Sequence, residues 1–206
     1  MARLEGPAAG PALAGALEEA NTRQARLLLL EALAVSRTRH GRALRAARRL
    51  LRDPPDEDIE KAAIRALGAM GDREVAAELL RSLAVPDATD GMGARREVTV
   101  RALQSILGPA EVERRATSLA GQDDPVLRRA AACLLGWLTR DGRASARQLA
   151  RLIRDPAPTV RLEALASLAW LCIQLDPKTP APDLGDEIEH AVLQATRANE
   201  ARERIA

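Results

Sequence analysis

The sequence predicts an all-α fold, an α-solenoid of about five stacked antiparallel helix pairs with a right-handed superhelix. Three observations lead there. The first is a short helical phrase that occurs four times, beginning at Ile59, Val98, Val126 and Val160. Each copy opens on a β-branched residue and places alanine fifth (Ala63, Ala102, Ala130, Ala164). A small residue stands eighth (Ala66, Ser105, Cys133, Ser167) and an aliphatic one ninth (Leu67, Ile106, Leu134, Leu168). The starts lie 39, 28 and 34 residues apart, within the period at which helical repeats bury their apolar faces on one another. The second observation is composition: the chain has no Phe, no Tyr and only two Trp. Alanine and aliphatic side chains must then supply the core, and small faces let helices approach closely. Strand-like alternation is absent. The third is punctuation by Asp-Pro at Asp53-Pro54, Asp124-Pro125 and Asp155-Pro156, where Asp can cap a helix and Pro fits its first turn.

Taken in order, residues 1–11 are rich in Ala, Pro and Gly and read as a loose tail. A short helix is expected over 13–19. Asn21 and Thr22 can cap the next, which runs to about Ser36. Gly41 precedes a helix over 42–52, stopped by Asp53-Pro54-Pro55 because proline cannot continue the ladder. Asp56, Glu57 and Asp58 open a helix over 59–70, where carboxylates favour the positive end of the dipole. Gly71-Asp72 turns the chain into 73–84. A long connection, 85–94, carries Pro86, Gly91 and Gly93. Helices are then expected over 95–107, ended by Gly108-Pro109, and over 110–120, 125–139, 144–154 and 159–175. Residues 176–185 hold three prolines and read as a linker. A last helix from 186 puts Ile188, Val192 and Ala195 on one stripe and ends in a highly charged run, as suits the polar cap of a repeat array. The expected organisation is thus a tail (1–11), a helical array (12–175), a linker (176–185) and a capping helix (186–206).

The net charge of +2 does not announce nucleic acid. The basic residues are nearly all Arg, with Lys61 and Lys178 the only lysines. Cys133 and Cys172 sit in apolar helical stretches and read as buried small hydrophobes, so nothing calls for an oxidising compartment. The N-terminal segment lacks the basic start and apolar run of a signal peptide, and the longest aliphatic cluster, 27–30, is far too short to span a bilayer. A cytoplasmic protein with no membrane contact is expected.

Two stretches, IEKAAIRALGAMGD over 59–72 and VRLEALASL over 160–168, resemble HEAT-like (armadillo-type) repeats of the kind also seen in phycobilin lyases. The usual phrase there is a Val-Arg pair, an Ala pair, Ala-Leu-Gly and Gly-Asp. Arg161 matches the pair's arginine, whereas Glu60, Thr99 and Leu127 depart from it. The resemblance covers about 42–175. It implies an array that holds partners, and for function it carries little more, since such arrays serve scaffolds, regulators and a few enzymes.

Several residues are candidates for more than packing. Arg42, Arg45, Arg48, Arg49 and Arg52 share an arc of about 120° on their helix, opposite Ala43, Leu44, Ala47, Leu50 and Leu51. Arg37, Arg39 and His40 precede them, and no acid intervenes between Val35 and Arg52. Such a stripe is either a solvated face, partly neutralised by Asp53, Asp56, Glu57 and Asp58, or a surface for an acidic protein or for phosphates. No aromatic residue interleaves it, so stacking on single strands lacks its platform. Arg65, Arg101, Arg129 and Arg161 recur at comparable places in the repeated helices. In HEAT-like stacks such arginines bond acids of neighbouring turns; a binding groove is the alternative. Trp137 and Trp170 lie about one repeat apart and suit inter-repeat packing, with Trp137 alternatively an anchor for a partner. Asp87 and Asp90, in the long connection, lack the further oxygen donors of a calcium loop.

Catalysis finds little support. His40 and His190 are the only histidines, far apart and outside any metal-binding spacing. Glycine-rich phosphate loops and nucleophile elbows are absent. Di-iron hydroxylases on HEAT-like repeats need paired His-Glu motifs, and only the reversed Glu189-His190 occurs. Glycosylases on such repeats need aromatic residues that this chain lacks. No cofactor and no metal is expected. The expected function is a non-catalytic scaffold or regulatory subunit that binds another protein, of acidic surface, along the concave face of the second helices. The alternative is anion or nucleic-acid binding through the 37–52 stripe.

Overall fold

The computed structural model describes residues 9–85, 93–138 and 142–174. Among them there are ten α-helices and no strand: α1 (Ala9–Glu19), α2 (Arg23–Ser36), α3 (Gly41–Arg52), α4 (Glu57–Ala69), α5 (Ala76–Ser82), α6 (Ala94–Leu107), α7 (Pro109–Ala120), α8 (Pro125–Trp137), α9 (Gly142–Leu152) and α10 (Pro158–Gln174). The chain is therefore all-α, as its composition and periodicity require. Residues 9–11 of the expected tail are instead the first turn of α1, where Ala9 and Gly10 are buried. Residues 1–8, most of the long connection with Asp87 and Asp90, and the positions of the expected linker and capping helix lie outside the described residues, as does His190.

Helix ends follow local chemistry. Thr22 caps α2 by accepting from the Ala25 N–H at 3.2 Å. Asp56 caps α4 by accepting from the Ile59 N–H at 3.0 Å. Asp124 does the same for α8, whose first residue is Pro125. The other two Asp-Pro pairs work differently. Asp53 ends α3 rather than starting α4, and α10 begins at Pro158, beyond Pro156. The 73–84 helix opens as a 3-10 turn, Arg73–Val75, before α5. Asp72 sets that turn by accepting from the Glu74 N–H at 3.2 Å.

The chain divides into two compact units, Met1–Leu80 with Ala94–Glu111, and Arg81–Gly93 with Val112–Ala206. In the first, α2 packs on α4 and α4 on α6, while α1 packs on α2 and α3, and α3 on α4. Leu30, Leu33, Ile59, Ile64, Leu67 and Leu103 are fully buried among these helices. Burying each such side chain contributes about 1.5–3 kcal/mol. In the second unit α8 and α10 form the main contact, with α9 against both. Leu83, Leu134, Leu149, Ile153 and Leu171 are the largest of its fully buried side chains. The repeated alanines at fifth place, Ala63, Ala102, Ala130 and Ala164, are all buried, which is the packing their recurrence encodes.

Glycine governs two helix contacts. A Cβ on Gly68 of α4 would stand 2.8 Å from both Cα and Cβ of Ala102 on α6. A Cβ on Gly136 of α8 would stand 2.8 Å from Ser167 Cβ and 3.0 Å from its Cα and carbonyl oxygen on α10. Only the absence of a side chain permits backbones to meet so closely. One expectation fails on α10: Cys133 is buried, but Cys172 is exposed. Cys172 lies on the same side of the helix as exposed Leu162 and Ile173 rather than beneath α8.

Candidate functional site

The arginine stripe of α3 is largely consumed by ion pairs inside its own unit. Arg42 donates to Glu18 from Nε at 2.9 Å and from Nη2 at 2.5 Å. This hydrogen bond holds the Glu18 carboxyl below its ordinary range, with the Arg42, Arg49 and Arg45 charges adding to it. Arg48 forks onto Asp72, both contacts at 2.5 Å, and also donates to Glu74. With Arg48 17% and Asp72 2% exposed, this pair sits largely out of water. Asp72, followed by Glu74, pushes the guanidinium above its usual value. Arg52 reaches Glu78 at a long 3.4 Å. Arg45 and Arg49 are exposed and make no ion pair among the described residues.

The acids that follow the stripe in sequence are not its partners. Asp56 bonds Arg23 of α2, Asp58 bonds Arg23 and Lys61, and Glu57 bonds Lys61 at 3.1 Å. The Ile59 N–H foremost, and Arg23 after it, keep the Asp56 carboxyl below its usual value against the opposing effect of burial. The solvated-face expectation thus identified neutralisation rightly and its partners wrongly. The partners lie 24 to 26 residues away, brought in by helix stacking.

The four recurring arginines fall into different settings. Arg129 on α8 donates to Glu163 of α10 at 3.1 Å, both side chains mostly buried. Arg161 donates to the carbonyls of Asp155 and Pro156 at 3.0 Å each, closing the turn before α10. The adjacent Arg128 forks onto Asp155 at 2.6 and 2.9 Å. Arg65 and Arg101 instead face a groove. Trp137 meets Trp170, ring centroids 5.0 Å apart and planes tilted by 50°, between α8 and α10. Both indoles are part-buried, and neither Nε1 has a hydrogen-bond partner among the described residues.

The groove, about 420 Å³, lies on α2, α4 and α6 of the first unit. Its floor is small: Ala34, Gly68, Ala69 and Ala102. Ser105 pins it by donating to the Gly68 carbonyl at 3.0 Å. Arg37, Arg65 and Arg101 are its cations, and Glu97 its acid. Arg101 pairs with Glu97 at 2.6 Å across one helical turn, the arginine exposed and the glutamate half-buried. The guanidiniums of Arg37 and Arg65 have no carboxylate partner among the described residues. Arg37 ends α2 in the left-handed region, φ 50° and ψ 20°, and is the one described non-glycine residue with positive φ. Its N–H closes on the Leu33 carbonyl at 3.1 Å. Sequence reasoning placed Arg37 at the edge of the α3 stripe and passed over Glu97, Ser105 and Gly68 as site residues. No glycine or asparagine follows α2 to signal a left-handed stop.

Among the described residues no three His, Cys, Asp or Glu side chains come together to hold a metal ion. No helix there is long and apolar enough to cross a membrane. In comparisons with known proteins, no family matches the chain, and neither does any curated protein.

Proposed function

We propose that the chain is a cytoplasmic HEAT-like α-solenoid that works as a non-catalytic scaffold or regulatory subunit, holding an acidic protein partner on the face formed by α2, α4 and α6. The single observation that carries this reading is the groove on that face, with two open guanidiniums over a floor of small residues. Stacked repeats offer extended surfaces of this kind, and their chemistry varies where packing does not constrain it. The repeat assignment is supported by the spacing of the charge pairs. Arg48–Asp72 and Arg128–Asp155 lie 24 and 27 residues apart, and Arg95–Glu60 and Arg129–Glu163 lie 35 and 34. Each bond therefore spans about one repeat, forward from Arg48, Arg128 and Arg129 and back from Arg95, as in a stack. The repeated helices α4 and α6, and again α8 and α10, pack directly on one another.

Binding in this reading is shape-complementary, with arginine steering the partner's acidic surface into place. Engagement of Arg42 and Arg48 by carboxylates favours it over a phosphate-binding stripe on α3. Cross-linking of the untagged protein with its co-purified partner, read by mass spectrometry, tests it. Cross-links should concentrate on α2, α4 and α6. A partner cross-linked only to other helices would remove the reading. Duplex DNA binding that falls steeply with salt would replace it with the nucleic-acid alternative.

A further inference from the structure

We infer that the α2–α4–α6 groove is a recognition site for a short acidic peptide segment, whose carboxylates are received by Arg37, Arg65 and Arg101. This rests on the scaffold reading and narrows it to one place and one ligand chemistry. Charge is the first ground. Arg23, Arg42, Arg48 and Arg95 of the same unit are engaged by carboxylates, while Arg37 and Arg65 have none among the described residues. A guanidinium's planar fork matches a carboxylate bidentately. The second ground is backbone cost. Arg37 holds a left-handed conformation that glycine would adopt freely and that strains a residue bearing a side chain. The strained residue is also the one that gives the groove its cation on the α2 side.

Shape supplies the third ground. At about 420 Å³ the groove has the size of a small-ligand cleft, and its floor of Ala34, Gly68, Ala69 and Ala102 lets an extended backbone come close. No aromatic side chain lines it, so nucleobases have nothing to stack on. The fourth ground is Glu97. Its carboxylate occupies Arg101 in the free protein, where an incoming carboxylate would bind. Glu97 thus acts as an internal competitor that the ligand displaces.

Fluorescence anisotropy of the full chain with a fluorescein-labelled oligoglutamate peptide tests this, with labelled oligoglutamine and a short duplex DNA as comparators. Oligoglutamate should bind and oligoglutamine should not. Arg65→Ala and Arg37→Gly should each weaken binding about tenfold. Arg45→Ala and Arg49→Ala, which remove exposed unpaired arginines of α3, should leave it within about twofold. Glu97→Gln should tighten it several-fold. Circular dichroism of each variant verifies that the helices remain. Equal weakening by all four arginine variants would mean general electrostatic attraction and overturn the site. So would tighter binding of the duplex, lost with Arg45 and Arg49, or no oligoglutamate binding at low salt. If the native partner cross-links to α2, α4 and α6 yet ignores Arg37→Gly and Arg65→Ala, the site falls while the scaffold reading stands. If oligoglutamate seats in the groove while the partner cross-links elsewhere, the scaffold reading falls and the site stands.

Discussion

In the first unit Arg48 forks onto Asp72, Arg95 bonds Glu60 and Gly68 lets α4 touch α6. In the second, Arg128 forks onto Asp155, Arg129 bonds Glu163 and Gly136 lets α8 touch α10. The contacts match in kind, but the surfaces they carry do not. The α4–α6 contact floors an open groove with Arg37, Arg65 and Arg101 at its margin. Alongside the α8–α10 contact lies a tryptophan pair, and the exposed residues of α10 include Leu162 and Ile173. Repetition in the sequence therefore encodes helix stacking, while the residues that differ between copies set what each surface can hold.

The two forks allow the strongest challenge to that likeness. Asp72→Asn and Asp155→Asn should each cost about 2 kcal/mol in urea unfolding, because each takes the charged fork from a largely buried guanidinium, leaving Arg48 with Glu74 and Arg128 with the Gln122 and Asp123 carbonyls. A large loss at one and none at the other would end the equivalence. The Asp155 variant should also change the acid limb. Burial works to raise the Asp155 carboxyl, but the Arg128 fork and the Ala157 N–H hold it below the ordinary aspartate range. A carboxyl depressed in the folded state contributes fully above its unfolded value, and that contribution is lost as pH falls through the folded one. Stability should therefore drop as pH falls below about 4, and less steeply in Asp155→Asn.

The glycine contacts come next. Alanine in a helix interior is favoured over glycine by about 1 kcal/mol. Overpacking against a neighbouring backbone costs about 1–3 kcal/mol and should win. Gly68→Ala and Gly136→Ala should each lower stability by about 1–2 kcal/mol on chemical denaturation. A gain at either would show that its helices can separate. Trp137→Leu should cost about 1 kcal/mol and alter the fluorescence of Trp170, with no effect on oligoglutamate binding. The smallest effects belong to the groove. Arg65→Ala should change stability by less than about 0.5 kcal/mol, and Arg37→Gly should raise it by roughly that much through relief of the left-handed strain.

Helix positions were legible because their signals are local. Thr22, Asp56 and Asp124 lie beside the N–H groups they cap, and Asp53-Pro54-Pro55 stops α3 where proline must. Buried alanines were legible because the phrase recurs. The charge network was not, since Arg48 finds Asp72 24 residues away rather than the acids next in line. Nor was the turn at Arg37, because nothing in its side chain marks a residue that must turn left-handed. Arg65 and Arg101 were picked out by recurrence alone. Their common groove follows from the packing of α4 on α6, which the spacing of the copies does not specify.

The contact at Gly68 sets the distance between two walls of that groove through main-chain atoms, with no intervening rotamer to rearrange. A guest arriving there meets walls whose separation is settled in advance, so little entropy is surrendered in shaping the cleft. What remains to be ordered is the long arginine side chains at its rim.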